Sequence, residues 1–328
     1  MYIAFALVLL FVGAEGLVRG SSSLALRAGL NRLMVGLTIV AFGTSSPELV
    51  VSVEAALSNQ GDISVGNVVG SNIFNIAVIL GITALVCPIP VHRQVIKIDA
   101  PVALGVALLL VLLLLNQTLS RLEGVLLFSG IVAYTWMSVI LARREPPPAS
   151  ADEENILAVN TSRHWCVDIA LILVGLAILV AGSRLLVENS VALAVSFGIS
   201  EAVIGLTIVA AGTSMPELAT SLVAAFRKQP DIAIGNIVGS NIFNVLGILG
   251  VASIVSPIEA PGISTLDYGV MILFTVLLIP LLFRARNVTR GRKANIEADR
   301  STLALGKIRS LFRTGRSNGG EPHPQSTY

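Results

Sequence analysis

Charge is what this chain has least of. Only 13% of its 328 residues are Asp, Glu, Lys or Arg, about half the share of an ordinary soluble domain. Together with 54% apolar residues and a mean hydropathy of +0.83, that scarcity excludes a cytosolic globule, a disordered chain and a nucleic-acid-binding protein. Cysteine is nearly missing as well. Cys87 and Cys166 cannot make a disulfide framework, and neither belongs to a CxxC pair. The three histidines, His92, His164 and His323, fall in polar connections, so no His/Cys cluster for a transition metal is on offer. No nucleophile–base pair or phosphate-cradling loop appears either, which argues against an enzyme. What remains is an all-α polytopic membrane protein.

A transmembrane helix takes about 20 mostly apolar residues. Nine such stretches are predicted, at 2–20, 32–56, 65–86, 98–116, 122–142, 166–186, 201–225, 234–255 and 265–285. The first has no basic leader and no convincing cleavage site, so it reads as a retained span. Residues 143–164 carry Arg143, Arg144, three prolines and the acidic run Asp152–Glu154, a connector too short to be a domain. The expected organisation is a five-span half at 1–142, that connector, a four-span half at 165–285, and a basic tail at 286–328.

The two halves are copies. VGLTIVAFGTSSPELV at 35–50 returns as IGLTIVAAGTSMPELA at 204–219 with 12 identities in 16, and GNVVGSNIFNIAVILGI at 66–82 returns as GNIVGSNIFNVLGILGV at 235–251 with 12 in 17. Both pairs lie 169 residues apart. Charges fail to follow the repeat: Arg19 corresponds to Glu188, Arg32 to Glu201, and Ser58 and Asn59 to Arg227 and Lys228. Lys and Arg mark cytoplasmic loops, so the halves are expected upside down relative to each other. An external N-terminus puts 20 of the 22 basic residues inside, leaving only Arg121 and Arg184 outside. Inverted repeats with a midplane site are a recurring transporter architecture.

Each repeat carries one deep carboxylate, Glu48 in GTSSPE and Glu217 in GTSMPE. An acid there costs ~2.5–3.5 kcal/mol or more and is by default functional. Pro47 and Pro216 have no N–H for the carbonyl four residues back, at Gly43 and Gly212. The expected break frees carbonyl oxygens of Ala41, Gly43, Ala210 and Gly212 at the midplane, where a cation can satisfy them. Thr44 and Ser45 stand four and three residues before Glu48, as Thr213 and Ser214 do before Glu217, which predicts that they share its helix face. Ser71 and Asn75, and likewise Ser240 and Asn244, are spaced i, i+4 and line one face. The glycine pairs Gly66/Gly70 and Gly235/Gly239 form GxxxG, equally a helix-packing device. The donors are all oxygen, which suits hard cations, and two carboxylates neutralise one Ca²⁺. Glu15, opposite Arg184 in the repeat, reads as a structural or gating charge, and Glu54 either as a cation attractor at an outer mouth or, at least as readily, as a solvated helix end.

At these residues the chain resembles the calcium/cation antiporter superfamily, specifically the sodium/calcium exchanger family of prokaryotic type. The resemblance rests on GTSxPE followed by GNxxGSNIFN at 35–82 and again at 204–251. It implies Glu48 and Glu217 as central calcium ligands shared with sodium, with backbone oxygen from Thr44 and Thr213. It further implies flanking sodium sites from Ser45, Ser214, Ser71, Ser240 and the carbonyls of Ala41 and Ala210, the centre being completed by Asn75 and Asn244. The implied activity is electrogenic exchange of several sodium ions for one calcium by alternating access in a plasma or bacterial inner membrane, with the ions and membrane lipid as partners and no cofactor. Where some relatives carry Asp, this chain has Asn244, which weakens a potassium-dependent reading. The family pattern is five spans plus five. Here the stretch matching the tenth, 291–311, is too polar to cross, so a fold lacking the last span is expected. Buried carboxylates also carry protons, which leaves a Ca²⁺/H⁺ antiporter open on the same scaffold. A cation channel or a non-transporting sensor is the more distant alternative.

Overall fold

The computed structural model describes residues 2–89, 91–144, 164–197 and 210–285. The chain divides into a unit Met1–Phe283 and a unit Arg284–Tyr328, and of the second only Arg284 and Ala285 are described. The predicted connector, the tail and the 291–311 stretch therefore lie almost wholly outside the described residues.

Lipid offers no hydrogen bonds, so apolar stretches must satisfy their backbone internally as helices. The helices are α1 (Tyr2–Arg27), the bent pair α2a (Arg32–Thr44) and α2b (Ser46–Leu57), α3 (Gly61–Val86), α4 (Val95–Asn116), α5 (Arg121–Ala142), and α6 (Trp165–Ser196). They continue with α7a (Ala210–Thr213) and α7b (Met215–Phe226), α8 (Pro230–Val255) and α9 (Thr265–Ala285). Among the described residues, seven unbroken helices and the bent α2 have the length and apolarity of membrane spans. The predicted span at 201–225 is seen only from Ala210 on, residues 201–209 lying outside the described set.

Two helices outrun their predicted ends. The first continues from 20 to Arg27 and the sixth from 186 to Ser196. Hydropathy misses the first extension because it is polar and yet inward-facing. Ser21, Ser22 and Ser23 are buried there, and Ser22 Oγ donates to Gln229 Oε1 at 2.7 Å.

Small residues set the helix crossings. A Cβ added to Gly13 of α1 would lie 2.8 Å from Gly175 O of α6, and one added to Gly175 would lie 2.7 Å from Gly13 O. On α8, a Cβ on Gly235 or Gly239 would meet the α2a backbone at Leu33 O or Leu37 O, 2.6 Å away in each case. The second-half GxxxG is thus a packing seam for α2a. For the first-half pair, a Cβ on Gly70 meets nothing within 4 Å among the described residues.

Equivalent loops sit at opposite ends of the bundle. At one end Gly61 lies against Glu259, Asp62 Oδ1 accepts from Gly262 N at 2.7 Å, and the short strands β1 (Thr118–Leu119) and β2 (Ile258–Glu259) pair antiparallel. The loop equivalent to 57–62 is 226–231, and it sits at the other end. There Arg227 pairs with Glu15, Gln229 accepts from Ser22, and His92 Nε2 approaches Asp231 Oδ1 at 3.0 Å. Asn59 and Lys228, 169 residues apart, turn those two loops with matching positive φ of 55° and 57°. Inversion is therefore visible in the contacts themselves.

Candidate cation-binding site

The site forms where α2 and α7 break. Ser45 (φ −82°, ψ 7°) and Ser214 (φ −85°, ψ 8°) interrupt their helices at equivalent positions, and α2 bends there by 46°. Pro47 and Pro216 fall in the first turn of the segment that follows, where a missing N–H costs nothing. Glu48 and Glu217 sit in the same first turns, each 1% exposed. Two helix N-termini buried in the bundle thus carry the two acids, and the helix dipole favours negative charge at that end.

The breaks redirect the serines. Ser45 Oγ donates not to Glu48 in its own helix but to Glu217 Oε1 at 2.8 Å, and Ser214 Oγ donates to Glu48 Oε1 at 3.2 Å. The expectation of a shared face within each half is therefore corrected. Helical i, i+3 spacing holds only along an unbroken helix, and Ser45 and Ser214 are the break. Thr44 likewise turns across, its Oγ1 donating to Asn236 Oδ1 at 3.0 Å. Its equivalent Thr213 is half-buried. The idea of freed carbonyls also needs correction. Ala41 O keeps a helical bond from Ser45 N at 3.0 Å, and Gly212 O accepts from Ser183 Oγ at 2.6 Å. Pro47 and Pro216 withhold their own N–H groups, but the preceding turn and a neighbouring helix meet these two oxygens. Of the remaining break residues, Gly43 faces Leu176 of α6, and Ala210 begins the described part of α7.

The second motif supplies the floor. Ser71 Oγ lies 3.2 Å from Ser214 Oγ. Asn75 Nδ2 donates to Asn241 Oδ1 at 2.9 Å and Asn244 Nδ2 to Asn72 Oδ1 at 3.0 Å, while Asn72 and Asn241 exchange side-chain-to-backbone bonds at 3.2 and 3.5 Å. Asn67 Nδ2 ties Glu48 O (3.2 Å) to Ser52 Oγ (2.9 Å), and Asn236 Nδ2 ties Glu217 O (3.4 Å) to Ser221 Oγ (3.2 Å). Sequence reasoning passed over Asn67, Asn72, Asn236 and Asn241, although all four are identical across the repeat, which was signal enough to find them. α3 and α8 each change from α to π geometry at Asn75 and at Asn244, a distortion that gathers at functional sites.

After these bonds are made, a symmetric set of oxygens remains. Glu48 Oε2, Glu217 Oε2, Asn75 Oδ1, Asn244 Oδ1 and Ser240 Oγ are buried with no hydrogen-bond partner among the described residues. Unpaired buried oxygens are costly, and the first four come as equivalent pairs from the two halves. The donor set is hard and anionic, with no thiolate or imidazole in it. Among the described residues no cluster of three His, Cys, Asp or Glu occurs, so any cation held here depends on two carboxylates plus neutral oxygens. Of the other acids considered, Glu15 is ion-paired with Arg19 (2.6 Å) and Arg227, and Glu54 is exposed.

The sodium/calcium exchanger protein family model matches residues 1–140 and 167–303. The chain belongs to that family. Within the calcium/cation antiporter superfamily, this exchanger is 41% identical over 294 residues to the putative antiporter CaxA of Alkalimonas amylolytica, covering 88% of this chain and 91% of that one. It is 31% identical over 316 residues to the sodium/calcium exchanger MaX1 of Methanosarcina acetivorans, covering 86% and 90%. Among solved structures it matches the sodium-calcium exchanger NCX_Mj with a TM-score of 0.73 at 30% identity, over 87% of this chain and 90% of that one. The exchanger is a multi-pass membrane protein of a transporter family.

Proposed function

We propose that this exchanger moves Ca²⁺ against Na⁺ by alternating access, with Glu48 and Glu217 as the shared midplane ligands. The observation that carries the reading is the paired set of unpartnered oxygens, Glu48 Oε2 with Glu217 Oε2 and Asn75 Oδ1 with Asn244 Oδ1. Ca²⁺ accepts six to eight oxygens in irregular geometry, and two carboxylates cancel its charge in a low-dielectric interior. Sodium as the driving ion is supported by the relatives, MaX1 and NCX_Mj both being named sodium/calcium exchangers.

Ser45, Ser214, Ser71, Ser240, Thr44, Thr213 and the carbonyls of Ala41 and Ala210 then serve as neutral ligands flanking the acids for sodium. The Ala41 carbonyl accepts from Ser45 N at 3.0 Å and from Thr44 Oγ1 at 3.4 Å, so it takes an ion when the threonine hydroxyl turns wholly to Asn236. Gly43, Pro47, Gly212 and Pro216 shape the breaks. The proposed organisation keeps the halves at 1–142 and 165–285, the connector 143–164 and the tail from 286 on the cytoplasmic side, and an external N-terminus.

The test is calcium uptake into vesicles driven in turn by an outward sodium gradient and, without sodium, an outward proton gradient. Uptake with sodium alone supports the proposal. Equal uptake with protons alone makes the two carboxylates proton carriers and the protein a Ca²⁺/H⁺ antiporter.

A further inference from the structure

Four charges on α1 and α6 stand at equivalent places with their signs exchanged. Glu15 and Arg19 of α1 correspond, 169 residues on, to Arg184 and Glu188 of α6. At the end of the bundle that holds the 226–231 loop, Glu15 pairs with Arg19 at 2.6 Å and with Arg227, the cap of α7b. Ser22 of α1 adds its bond to Gln229 at 2.7 Å. α1 is thus fastened along α7b, and Val223 of α7b is 3% exposed in a hydrophobic cluster with Ala14, Leu17 and Val18 of α1.

The twin contact, α6 against α2b, is open. Among the described residues these two helices scarcely touch. Val50 of α2b is 52% exposed, whereas its twin Ala219 packs on the cluster. Glu54 and Arg184 are exposed and make no ion pair among the described residues. In a transporter built of inverted repeats, access alternates as the parts move against each other around the site. The inverted twin of the present arrangement sets α6 against α2b as α1 now lies against α7b. Glu54, the twin of Val223, is then carried into the α6 interface, where an acid without a counter-charge is costly. Arg184, the twin of Glu15, arrives at the same place. Ser58 stands where Arg227 does in the other half and offers it no charge, but Glu54 lies one helical turn before Ser58 on the same face.

We propose that Glu54 and Arg184 form a second ionic latch, which pairs when the 57–62 end closes and the Glu15–Arg227 latch parts. The inference rests on the alternating access proposed above. The Gly13–Gly175 approach and the Arg27–Asp168 pair at 2.7 Å hold α1 to α6, so one latch closes as the other opens. Exchange of sign makes the two latches non-interchangeable, because Glu15 is repelled by Glu54 and Arg184 by Arg227. The latches give roles to charges outside the cation site, among them Arg184, one of the two basic residues that the charge count leaves external.

The experiment is cross-linking in membranes bearing the full chain with Cys87→Ala and Cys166→Ala. Glu54→Cys with Arg184→Cys is treated with a short bifunctional thiol reagent, and Glu15→Cys with Arg227→Cys is the reference pair. Both pairs should cross-link, the first from the state opposite to this structure. Adding Glu15→Gln should speed the 54–184 cross-link about two- to fivefold, as loss of one half-exposed ion pair does. Arg227→Gln should act alike, so that if one variant does not fold the other decides. In a chain without these cysteines, Glu54→Arg and Arg184→Glu should each slow calcium uptake, and the double exchange should restore it. No 54–184 cross-link, a cross-linking rate indifferent to both glutamine variants, or a double exchange no faster than the single changes overturns the proposal. Cross-linking reports position whichever ion drives uptake, so uptake that follows protons alone displaces sodium from the reading above while the cross-links still decide the latch.

Discussion

Ser45 of the first half hydrogen-bonds Glu217 of the second at 2.8 Å, and the reciprocal bond runs from Ser214 to Glu48 at 3.2 Å. Each acid is thus positioned by the helix break of the opposite half, and the two halves cannot separate at the midplane without losing both bonds. A hydrogen bond to a charged group contributes about 1.5–3 kcal/mol. Ser45→Ala and Ser214→Ala should each weaken calcium binding roughly tenfold or more. Because each serine serves the other half's acid, Ser45→Ala should show strong non-additivity with Glu217→Gln and little with Glu48→Gln in binding cycles. The reverse pattern would place each serine with its own half.

Glu48→Gln and Glu217→Gln should each nearly abolish calcium transport while the protein still folds and inserts. Glutamine keeps the size and an acceptor oxygen but removes half the charge that balances Ca²⁺. Calcium uptake by either variant at the wild-type rate would show that the two acids do not share one site.

The asparagine crossing predicts a stability effect separate from transport. Asn72→Leu or Asn241→Leu leaves a buried amide on the other helix without its partner, at a cost of about 1–3 kcal/mol. Thermal unfolding in detergent should shift downward for each single variant, and combining Asn72→Leu with Asn244→Leu should lose less than the sum of those two, since Asn244 carries the amide that Asn72→Leu orphans.

Glycine seams offer a steric test with its own control. Gly235→Ala would place a Cβ 2.6 Å from Leu33 O, a backbone atom that cannot swing away, and overpacking of this kind costs about 1–3 kcal/mol. Gly105→Ala, whose Cβ meets nothing within 4 Å among the described residues, should be neutral or slightly stabilising through helix propensity. Equal melting temperatures for the two variants would contradict the close α2a–α8 approach.

The architecture is legible in the sequence because it is written in two redundant signals, apolar length and a repeat at constant offset. Glu48 and Glu217 could be singled out because a carboxylate inside an apolar run has few structural excuses. What the sequence concealed were directions. Spacing rules placed Ser45 with Glu48, yet a single non-helical residue turned it toward Glu217, and no linear pattern records which way a broken helix points. Identity across the repeat marks Asn67 and Asn236 but does not reveal what they do, because the backbone oxygens of Glu48 and Glu217 that they bind carry no sequence signature.

Orientation is checked by cysteine labelling. In a chain bearing Cys87→Ala and Cys166→Ala, Ser317→Cys should resist an impermeant reagent in intact cells and react after permeabilisation. Labelling of intact cells would put the tail outside.

The account stands most directly on the voltage dependence of sodium-driven calcium uptake in vesicles. Two carboxylates nearly cancel one Ca²⁺, while the several sodium ions exchanged for it carry surplus positive charge outward, and one charge crossing 100 mV is worth ~2.3 kcal/mol. An interior-positive potential should therefore accelerate uptake against an outward sodium gradient and an interior-negative one should slow it, with both effects lost in Glu48→Gln. Uptake that ignores the sodium gradient and follows a proton gradient in sodium-free vesicles would contradict it.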